Sequence, residues 1–583
     1  MKKPIALLLA AFLLTGCTSN TVAEVTTAPT TTPAEVSFSG VIPAQTADAP
    51  EYVSRFAEET AIVLSDEGIT VNGGEETEAV YTSHDIIYYE DRDAYDSGNP
   101  YGEGEAQERH SWEEAAAHTV VNITAPGAYR VSGRASAGQI RVDLGDDAYD
   151  NPEAVVELIL DGADITCTVA PAILFLNTYE CDGNWSADTA KAEVDTSAAG
   201  ANLILEGENT VSGSHVAKVY KDKEGEKKLW KQDGAVYAYM SMNIYGPGAL
   251  DITADNEGLN SELHLTINGG DIAIRSDNDG INTNEDGVSV TTINGGSLHI
   301  IAGLGAEGDG IDSNGYLVIN GGTVVSSANP AADAGLDSDL GSYVNGGTVI
   351  ALGSTMDWAE SASGQVTMNL QFAQYQSGDS AIVVAKEDGT VAFAYDPSED
   401  EVLGEQARRY MGAVISCPGF AQGDTYNVWL DGTVTGEETG GVYASVSGYE
   451  GGIQMQYTGT DVGMGGPGGF GGARPDGEMT EGFAPGEMRE DFTMPEDWDP
   501  EEMPEGGFGG GRGQRSEGGM EDMTPPKGFD GEMPTLPEGE TMPEGGFGGR
   551  GMGGRQSGGE SGEASTAFYM SDMVNAFSGV GEV

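Results

Sequence analysis

An asparagine followed by two glycines recurs along the middle of this chain at a nearly constant interval. The four copies begin 26, 26 and 25 residues apart, at Asn268, Asn294, Asn320 and Asn345. A second landmark, glycine followed by Leu or Ile and then by Asn or Asp, recurs with them at Gly258, Gly280, Gly310 and Gly335. A fixed period of this size is typical of a solenoid, in which each repeat stacks on the one before it.

Apolar and polar residues alternate between these landmarks, as at Ile272 and Ile274 or at Leu317 and Ile319. Alternation is the period of a strand and not of a helix, so each repeat is predicted to hold two or three short strands. Strands that recur once per repeat in one direction stack in parallel, about 4.8 Å apart. The sequence therefore predicts an all-β fold of the right-handed parallel β-helix type, because parallel crossovers are overwhelmingly right-handed.

A β-propeller is the alternative repeat fold, but each of its blades needs about 40 residues and four strands. In the parallel stack, the asparagine of each turn lies over its equivalent, so its amides are expected to form a ladder. The glycines after it supply the positive φ that the turn requires.

The stretch from about Val155 to Ser354 resembles the bacterial carbohydrate-binding β-helix lipoproteins, whose fold is similar to that of polysaccharide lyases. The resemblance is carried by LILDGADIT, by LEGENTV, by the recurring NGG and by the Asp-Gly-Ile steps at Asp279 and Asp309. It covers about a third of the chain. The resemblance implies a surface protein that binds polysaccharide and calcium without established catalysis.

The beginning of the chain, MKKPIALLLAAFLLTGC, has two lysines, then an apolar run from Ile5 to Leu14 and a cysteine. This pattern predicts a signal peptide over residues 1–17. Its end is similar to the lipobox of bacterial lipoproteins, which implies that Cys17 carries a lipid and holds the protein on the extracellular face of the bacterial cell membrane. A plain secretory signal with a chance cysteine is the alternative. Residues 18–50 are predicted to be a flexible tether.

The remaining segments are assigned around the repeats. Residues 51–154 are predicted to form an N-terminal cap with the first irregular coils, and residues 355–460 a β-rich C-terminal cap, because the ends of a solenoid must be closed against water. The Gly-, Met-, Pro- and Glu-rich residues 463–565 are predicted to be disordered, since they bury too little apolar surface. Apolar alternation returns in residues 566–583, which predicts a strand that comes back onto the body.

The chain is strongly acidic, with 26 basic and 95 acidic residues and a formal charge of −69. Such an excess repels nucleic acid and anionic lipid and attracts divalent cations. The composition therefore disfavours a nucleic-acid partner. The resemblance implies a polysaccharide partner, acidic or derived from plant cell walls, and contact with the membrane through the lipid anchor only.

Oxygen-bearing side chains follow the strands at alternating positions after Ile274. Hard cations such as calcium take six to eight oxygen ligands, and stacked coils bring carboxylates together. The predicted calcium ligands are Asp255, Asp277, Asp279, Asn282, Asn284, Asp286, Asp309, Asp312, Asp337 and Asp339. Solvated turn residues are the alternative interpretation, because Asp and Asn are favoured in turns.

A lysine-rich stretch from Lys218 to Lys231 is predicted to be a basic hairpin between coils. Its aromatic and basic side chains, together with an outward Arg275, are predicted to contact carbohydrate: Lys227, Lys228, Trp230, Lys231 and Arg275. A solvated loop whose lysines offset nearby acids is the alternative, and so is an ion pair for Arg275.

Three function classes follow. The first is calcium-assisted polysaccharide binding without catalysis. The second is a calcium-dependent lyase, which would need a base that only Arg275 offers between Gly246 and Asp357. The third is an adhesion scaffold without a glycan ligand. A hydrolase is disfavoured, because the Gly-His-Gly and Arg-Ile-Lys signatures of β-helix polygalacturonases are missing from the sequence.

The cysteines leave one question open. Besides Cys17 there are Cys167, Cys181 and Cys417, so a Cys167–Cys181 disulfide and free thiols are both compatible with the sequence.

Overall fold

A computed structural model describes residues 37–43, 50, 52–89, 109–220, 228–354, 357–460 and 564–583. This part of the chain is nearly all β, with one four-residue α-helix and three short 3-10 helices. No helix in these ranges is long and apolar enough to cross a membrane. The predicted signal peptide with Cys17, nearly all of the tether and residues 461–563 lie outside the described residues.

The N-terminal elements already join the repeats. Strand β2 pairs in parallel with β6, and β5 pairs in parallel with β7, while β2–β3 and β4–β5 form antiparallel hairpins. The elements are β1 (Gly40–Val41), β2 (Glu59–Ser65), β3 (Gly68–Val71), β4 (Val80–Ser83), helix α1 (Trp112–Ala115), β5 (Thr119–Ile123), β6 (Gly127–Ala135) and β7 (Gly138–Asp143).

The repeats supply 21 strands, of which 19 fall into three parallel stacks and two, β12 and β13, form an antiparallel hairpin. In order they are β8 (Val156–Thr166), β9 (Ile173–Asn177), β10 (Ala201–Glu206), β11 (Glu208–Gly213), β12 (Val216–Tyr220), β13 (Lys228–Gln232), β14 (Gly234–Ala238), β15 (Met242–Tyr245), β16 (Ala249–Ala254), β17 (Glu257–Ser261), β18 (His264–Ile267), β19 (Asp271–Ser276), β20 (Ile281–Thr283), β21 (Val290–Ile293), β22 (Ser297–Ile301), β23 (Ile311–Ser313), β24 (Tyr316–Ile319), β25 (Thr323–Ser327), β26 (Leu336–Ser338), β27 (Gly341–Val344) and β28 (Thr348–Gly353).

Each stack takes one strand from every repeat. The first stack runs β8–β10–β15–β18–β21–β24–β27, and the second runs β8–β11–β16–β19–β22–β25–β28. The third runs β7–β9–β14–β17–β20–β23–β26. This confirms that equivalent positions of successive repeats lie beside one another, while the right-handed closed winding stays a prediction.

Apolar columns between the stacks form the core. In the first stack Ile267 pairs with Ile293, Ile293 with Ile319, and Ile319 with Val344, and each of them is 0–1% exposed. Ile319, one of the alternating apolar residues, therefore points into the core. Burial of such β-branched side chains at about 25 cal/mol per Å² is the main favourable contribution to folding of the stacks.

The Asn-Gly-Gly turns lie in a single file at the end of the first stack. The Asn294 amide donates to the Asn268 carbonyl at 2.8 Å, Asn320 to Asn294 at 2.9 Å, and Asn345 to Asn320 at 2.9 Å. We call these four residues the asparagine ladder, and it confirms the predicted stacking. Gly296, with φ +86°, has no room for a side chain, because a Cβ there would lie 2.5 Å from the Gly270 carbonyl oxygen.

Beyond β28 the pairing becomes mostly antiparallel, as the predicted hairpins require. The strands are β29 (Thr367–Gln376), β30 (Ile382–Ala385), β31 (Val391–Tyr395), β32 (Tyr410–Ser416), β33 (Thr425–Leu430), β34 (Thr433–Thr439), β35 (Val442–Glu450), β36 (Ile453–Gln456), β37 (Phe568–Tyr569) and β38 (Val574–Glu582). Strand β38 lies parallel to β29 and antiparallel to β36, so the C-terminal residues contribute a strand beside these two.

Cys167, Cys181 and Cys417 are all free thiols. Of the two alternatives, the structure has the unpaired one. Burial raises the pKa of the Cys167 and Cys417 thiols to about 12, which leaves them unreactive at neutral pH.

Candidate functional site

The third stack contains the Asp-Gly-Ile steps at Asp279 and Asp309, where the sequence analysis placed predicted calcium ligands. Its middle column is in register from Tyr237 through Asn260, Asn282 and Asp312 to Asp337. Side chains at one position of a parallel stack are neighbours about 4.8 Å apart. Residues from five repeats, up to 100 positions apart in sequence, therefore line one surface.

Two further columns flank the middle one. The leading column contains Glu257, Asp279 and Asp309, each directly before the glycine of its repeat. Backbone bonds of 3.0 Å from Gly258 to Asp279 and from Gly280 to Asp309 hold that alignment. The trailing column follows the strands and contains Glu262, Asn284, Asn314 and Asp339. We call the three columns together the acidic face.

In the upper repeats of this face, which contain β17 and β20, amide side chains are hydrogen-bonded to carboxylates. The Asn282 Nδ2 donates to Glu257 Oε1 at 3.1 Å and to Asp279 Oδ2 at 3.4 Å. The Asn284 Nδ2 donates to Asn260 Oδ1 at 3.0 Å and to Glu262 Oε1 at 3.3 Å. These bonds supply hydrogen-bond donors to carboxylates that have none of their own.

In the lower repeats, which contain β23 and β26, aspartates occupy the positions that asparagines occupy in the upper repeats. Asp312 and Asp337 are in register, and Asp309 precedes them. Burial and neighbouring carboxylates raise the pKa of Asp309 and of Asp312 well above the usual range. Burial likewise raises the pKa of Glu257 to about 8 and that of Asp279 to about 7, with Asp233 and Asp333 respectively as acidic neighbours.

One oxygen of this face has no partner. Asn282 is 6% exposed, and although its Nδ2 is bonded, no hydrogen bond reaches its Oδ1. A buried carbonyl oxygen without a donor costs about 1–3 kcal/mol. The carboxylate and amide oxygens around it are the kind of ligand atom that a hard cation prefers, so the composition of the face fits a cation such as calcium.

The carboxylates are spread along the face. In the described ranges no three carboxylate, imidazole or thiol groups converge as a ready metal site. A cation held here would therefore be coordinated by a pair of carboxylates, an amide oxygen such as that of Asn282, and water or a ligand oxygen.

Three predicted calcium ligands lie outside the acidic face. Asp255 accepts from Ser214 Oγ at 2.6 Å and lies 3.0 Å from His215 Nδ1, so its carboxylate is already bonded. Asp277 follows a strand of the second stack, where burial and Asp255 raise its pKa. Asp286 is exposed on a turn.

Glu257, Glu262 and Tyr237 belong to the face but were not predicted. Glu257 had a signal, because NEGLN and NDGIN align without a gap and place it over Asp279. Glu262 and Tyr237 had none: their hydrogen bond to each other depends on the fold.

The basic stretch is a hairpin, as predicted, with β12 and β13 antiparallel. Lys227 and the side chains of Lys228 and Trp230 lie outside the described residues. Lys231 Nζ is 2.6 Å from Asp233 Oδ2, and although burial lowers its pKa, Asp233 and Glu257 outweigh that effect and raise it. Lys231 therefore supplies a positive charge to the upper end of the acidic face.

Arg275 points outward, as predicted, but it is already paired. Its Nη1 lies 2.9 Å from Asp251 Oδ1, and its Nη2 donates to the Glu401 carbonyl at 3.1 Å. It belongs to the second stack, whereas the acidic face belongs to the third.

Comparisons with known proteins bear on the same region. A family model described as carbohydrate-binding domain-containing protein matches residues 117–396, a little under half of the chain. A carbohydrate-binding domain-containing protein of Acetivibrio thermocellus is 30% identical over 157 residues, which are 27% of this chain and 45% of that protein. The chain thus spans less than half the length of the curated relative it matches.

A solved structure of a polysaccharide lyase-like protein from C. thermocellum, a gadolinium derivative, is 20% identical over 50% of this chain and 93% of that chain. Its TM-score is 0.29, and a superposition at that score supports no conclusion. The two sequence matches support a carbohydrate-binding family for residues 117–396.

Proposed function

We propose that this protein binds polysaccharide at the bacterial cell surface with the help of calcium on the acidic face. In this proposal the three stacks wind as a right-handed parallel β-helix, Cys17 carries the lipid anchor, and the chain has no catalytic role. The sequence matches over residues 117–396 support the carbohydrate partner.

The observation that carries the calcium part is the lower half of the acidic face. Asp309 and Asp312 come from one repeat and Asp337 from the next, with no basic side chain between them in their columns. Carboxylates this close repel one another unless they bind protons or a cation. Calcium would satisfy them and still have coordination positions to spare.

The remaining coordination positions of the calcium ion suggest which kind of polymer is bound. A uronic acid carboxylate can complete the shell of a calcium ion already held by Asp312 and Asp337, so the cation would bridge protein and sugar. An acidic polysaccharide, such as that of plant cell walls, fits this chemistry because the protein alone would repel it.

Retention on immobilised polygalacturonate tests the proposal. The full chain should be retained with calcium and released by a chelator. The double substitution Asp312→Asn with Asp337→Asn should lower retention at least tenfold, whereas the exposed Asp286→Asn should behave as the parent. Equal retention with and without the chelator would refute the calcium bridge.

The lyase alternative has less support from the geometry. Arg275, its basic candidate between Gly246 and Asp357, pairs with Asp251 and lies in a different stack from the acidic face. New ultraviolet absorbance from unsaturated products on incubation with polygalacturonate would favour the lyase. Binding of a protein partner with no glycan retention would favour the adhesion scaffold.

A further inference from the structure

A polar cavity lies beside the first stack, apart from the acidic face. Its volume is about 560 Å³, within the range of ligand sites. Residues 178–200, between β9 and β10, form one wall, and His264 of β18 lies on the other side. The lining includes Asp182, Asn184, Thr189 and Lys191.

The wall is held at both ends by buried bonds. Glu180 accepts from the Ser241 backbone at 2.6 Å and from its hydroxyl at 2.9 Å. Thr196 donates to Asn243 Oδ1 at 2.7 Å and lies 2.7 Å from the Thr266 hydroxyl. The segment between them is therefore positioned before any ligand arrives, which lowers the entropy cost of binding.

His264 presents an unsatisfied donor at this cavity. The ring is 1% exposed, and its Nδ1 accepts from the Val290 backbone at 3.0 Å, so the proton resides on Nε2. No hydrogen bond satisfies that Nε2, since the closest carboxylate oxygen, Asp182 Oδ2, is 3.4 Å away. A buried donor of this kind is a place for a ligand oxygen.

The charge of the lining selects among ligands. Asp182, Glu193 and Asp195 against Lys191 give a formal charge of 1 − 3 = −2, which disfavours an anionic sugar. Burial lowers the pKa of His264 to about 4, so it adds no positive charge at neutral pH. The cavity thus suits an uncharged ligand with many hydroxyl groups.

An exposed aromatic ring belongs to the same wall. Trp185 follows the lining residue Asn184, is 41% exposed, and donates from its indole to the Tyr149 hydroxyl at 2.5 Å. A fixed, exposed indole offers the flat apolar surface on which a pyranose ring can stack.

A second cavity of about 540 Å³ shares Glu193, Val194 and Asp195 with the first and extends along the asparagine ladder. Thr266 and Thr292 of the first stack line it as well. Two adjoining cavities along parallel strands provide room for more than one sugar.

We infer that the wall at residues 182–195 forms a calcium-independent subsite for a neutral, extended oligosaccharide, with Asp182 and His264 bonding its hydroxyls and Trp185 stacking on a ring. The inference rests on the proposed carbohydrate-binding function and places a second sugar contact away from the acidic face. It assigns an uncharged hexopyranose polymer to this subsite, in contrast to the uronate proposed for the calcium bridge.

Calorimetric titration of the full chain with cellohexaose in the presence of a chelator tests the subsite. Binding should be measurable and should weaken at least tenfold in Trp185→Ala and in Asp182→Asn. The matched control is Trp112→Ala, on helix α1 and 65% exposed, which should stay within twofold of the parent. Thermal melts of all variants should coincide, because the substituted side chains are at least partly exposed.

Three results would overturn the inference: no binding of cellohexaose, equal loss in the Trp112→Ala control, or tighter binding of an oligogalacturonate than of cellohexaose under chelation. None of these bears on calcium-dependent retention on polygalacturonate. Failure of the subsite and failure of the calcium bridge are thus distinguishable.

Discussion

The asparagine ladder and the acidic face are built in the same way, from one polar residue per repeat stacked on its equivalent, but they differ in how they are satisfied. Asn294, Asn320 and Asn345 each donate to the side-chain carbonyl of the ladder residue before, and Asn345 accepts from the Gly364 backbone, so these bonds are made within the chain. In the acidic face, Asn260 and Asn282 are followed by Asp312 and Asp337, and ionised carboxylates accept hydrogen bonds but donate none. A stack of amides is satisfied within the chain, whereas stacked carboxylates repel one another unless they bind protons or, as we propose, a cation.

The largest effect should come from a change in the apolar core that supports both the asparagine ladder and the acidic face. Ile319→Asp would bury an unpaired charge in the apolar column and should remove more than about 4 kcal/mol of unfolding free energy. Ile319→Val is the control, with an expected loss of about 1 kcal/mol. Urea denaturation measures both, and a parent-like Asp variant would contradict the inward position.

The asparagine ladder and the acidic face should also differ in how pH affects their contribution to stability. Since the folded pKa values of Glu257 and Asp279, about 8 and 7, lie above those of the unfolded chain, their protonated forms stabilise the fold. In chelator, the Tm should therefore rise as pH falls from about 8 to 5, by on the order of 5 °C. Calcium should raise the Tm more at pH 8 than at pH 5, and a calcium effect independent of pH would count against the acidic face as its site.

A break in the ladder should be felt without regard to calcium. Asn294→Ala leaves both the Asn268 carbonyl and the Asn320 amide without their ladder partner, at a cost of about 2 kcal/mol. Asn345→Ala, at the exposed end of the ladder, should cost less. Thermal melting with calcium and with chelator should show the same loss of stability. A loss that depends on calcium would mean that the asparagine ladder and the acidic face are coupled.

Conversion of one carboxylate into an amide should make the acidic face more like the ladder. Asp312→Asn, next to Asn282 in register, removes one repelling charge and should stabilise the chelated protein at pH 7.5 by about 1 kcal/mol. It should also reduce the rise in Tm on adding calcium. Asp286→Asn, on an exposed turn, is the control and should change neither quantity.

The smallest effect is expected outside both the asparagine ladder and the acidic face. Arg275→Gln removes a half-exposed ion pair with Asp251 and should cost less than about 1 kcal/mol. Retention on polygalacturonate should not change, since Arg275 lies away from the acidic face. Loss of retention with an unchanged Tm would return Arg275 to the sugar site.

These differences also explain what the sequence could predict. The period of Asn-Gly-Gly predicted the file from Asn268 to Asn345. The recurring glycine, Leu or Ile, and Asn or Asp predicted that Asn282, Asp312 and Asp337 are equivalent, although Asn282 and Asp312 are 30 residues apart. The partners of individual side chains did not follow from it. Asp255 is bonded to Ser214 and Arg275 to the backbone of Glu401, and such contacts join segments that share no repeat.

Loop geometry was the other feature that the sequence did not reveal. The predicted ligands Asn282, Asn284 and Asp286 alternate in the sequence, but the first two lie in different columns and Asp286 lies on an exposed turn. The cavity near His264 had no local signal either, because it joins a strand of the repeats to a wall about 80 residues earlier in the chain.

The seating of the last strands has a topological consequence. Tyr457 and Ser565 exchange two backbone hydrogen bonds of 2.9 Å, so the points where the chain leaves and re-enters the body are adjacent. The strands on either side of residues 461–563 are therefore joined to each other directly by their backbones. Because β38 also pairs with both β29 and β36, the last residues of the chain are held in the sheet along both edges of that strand.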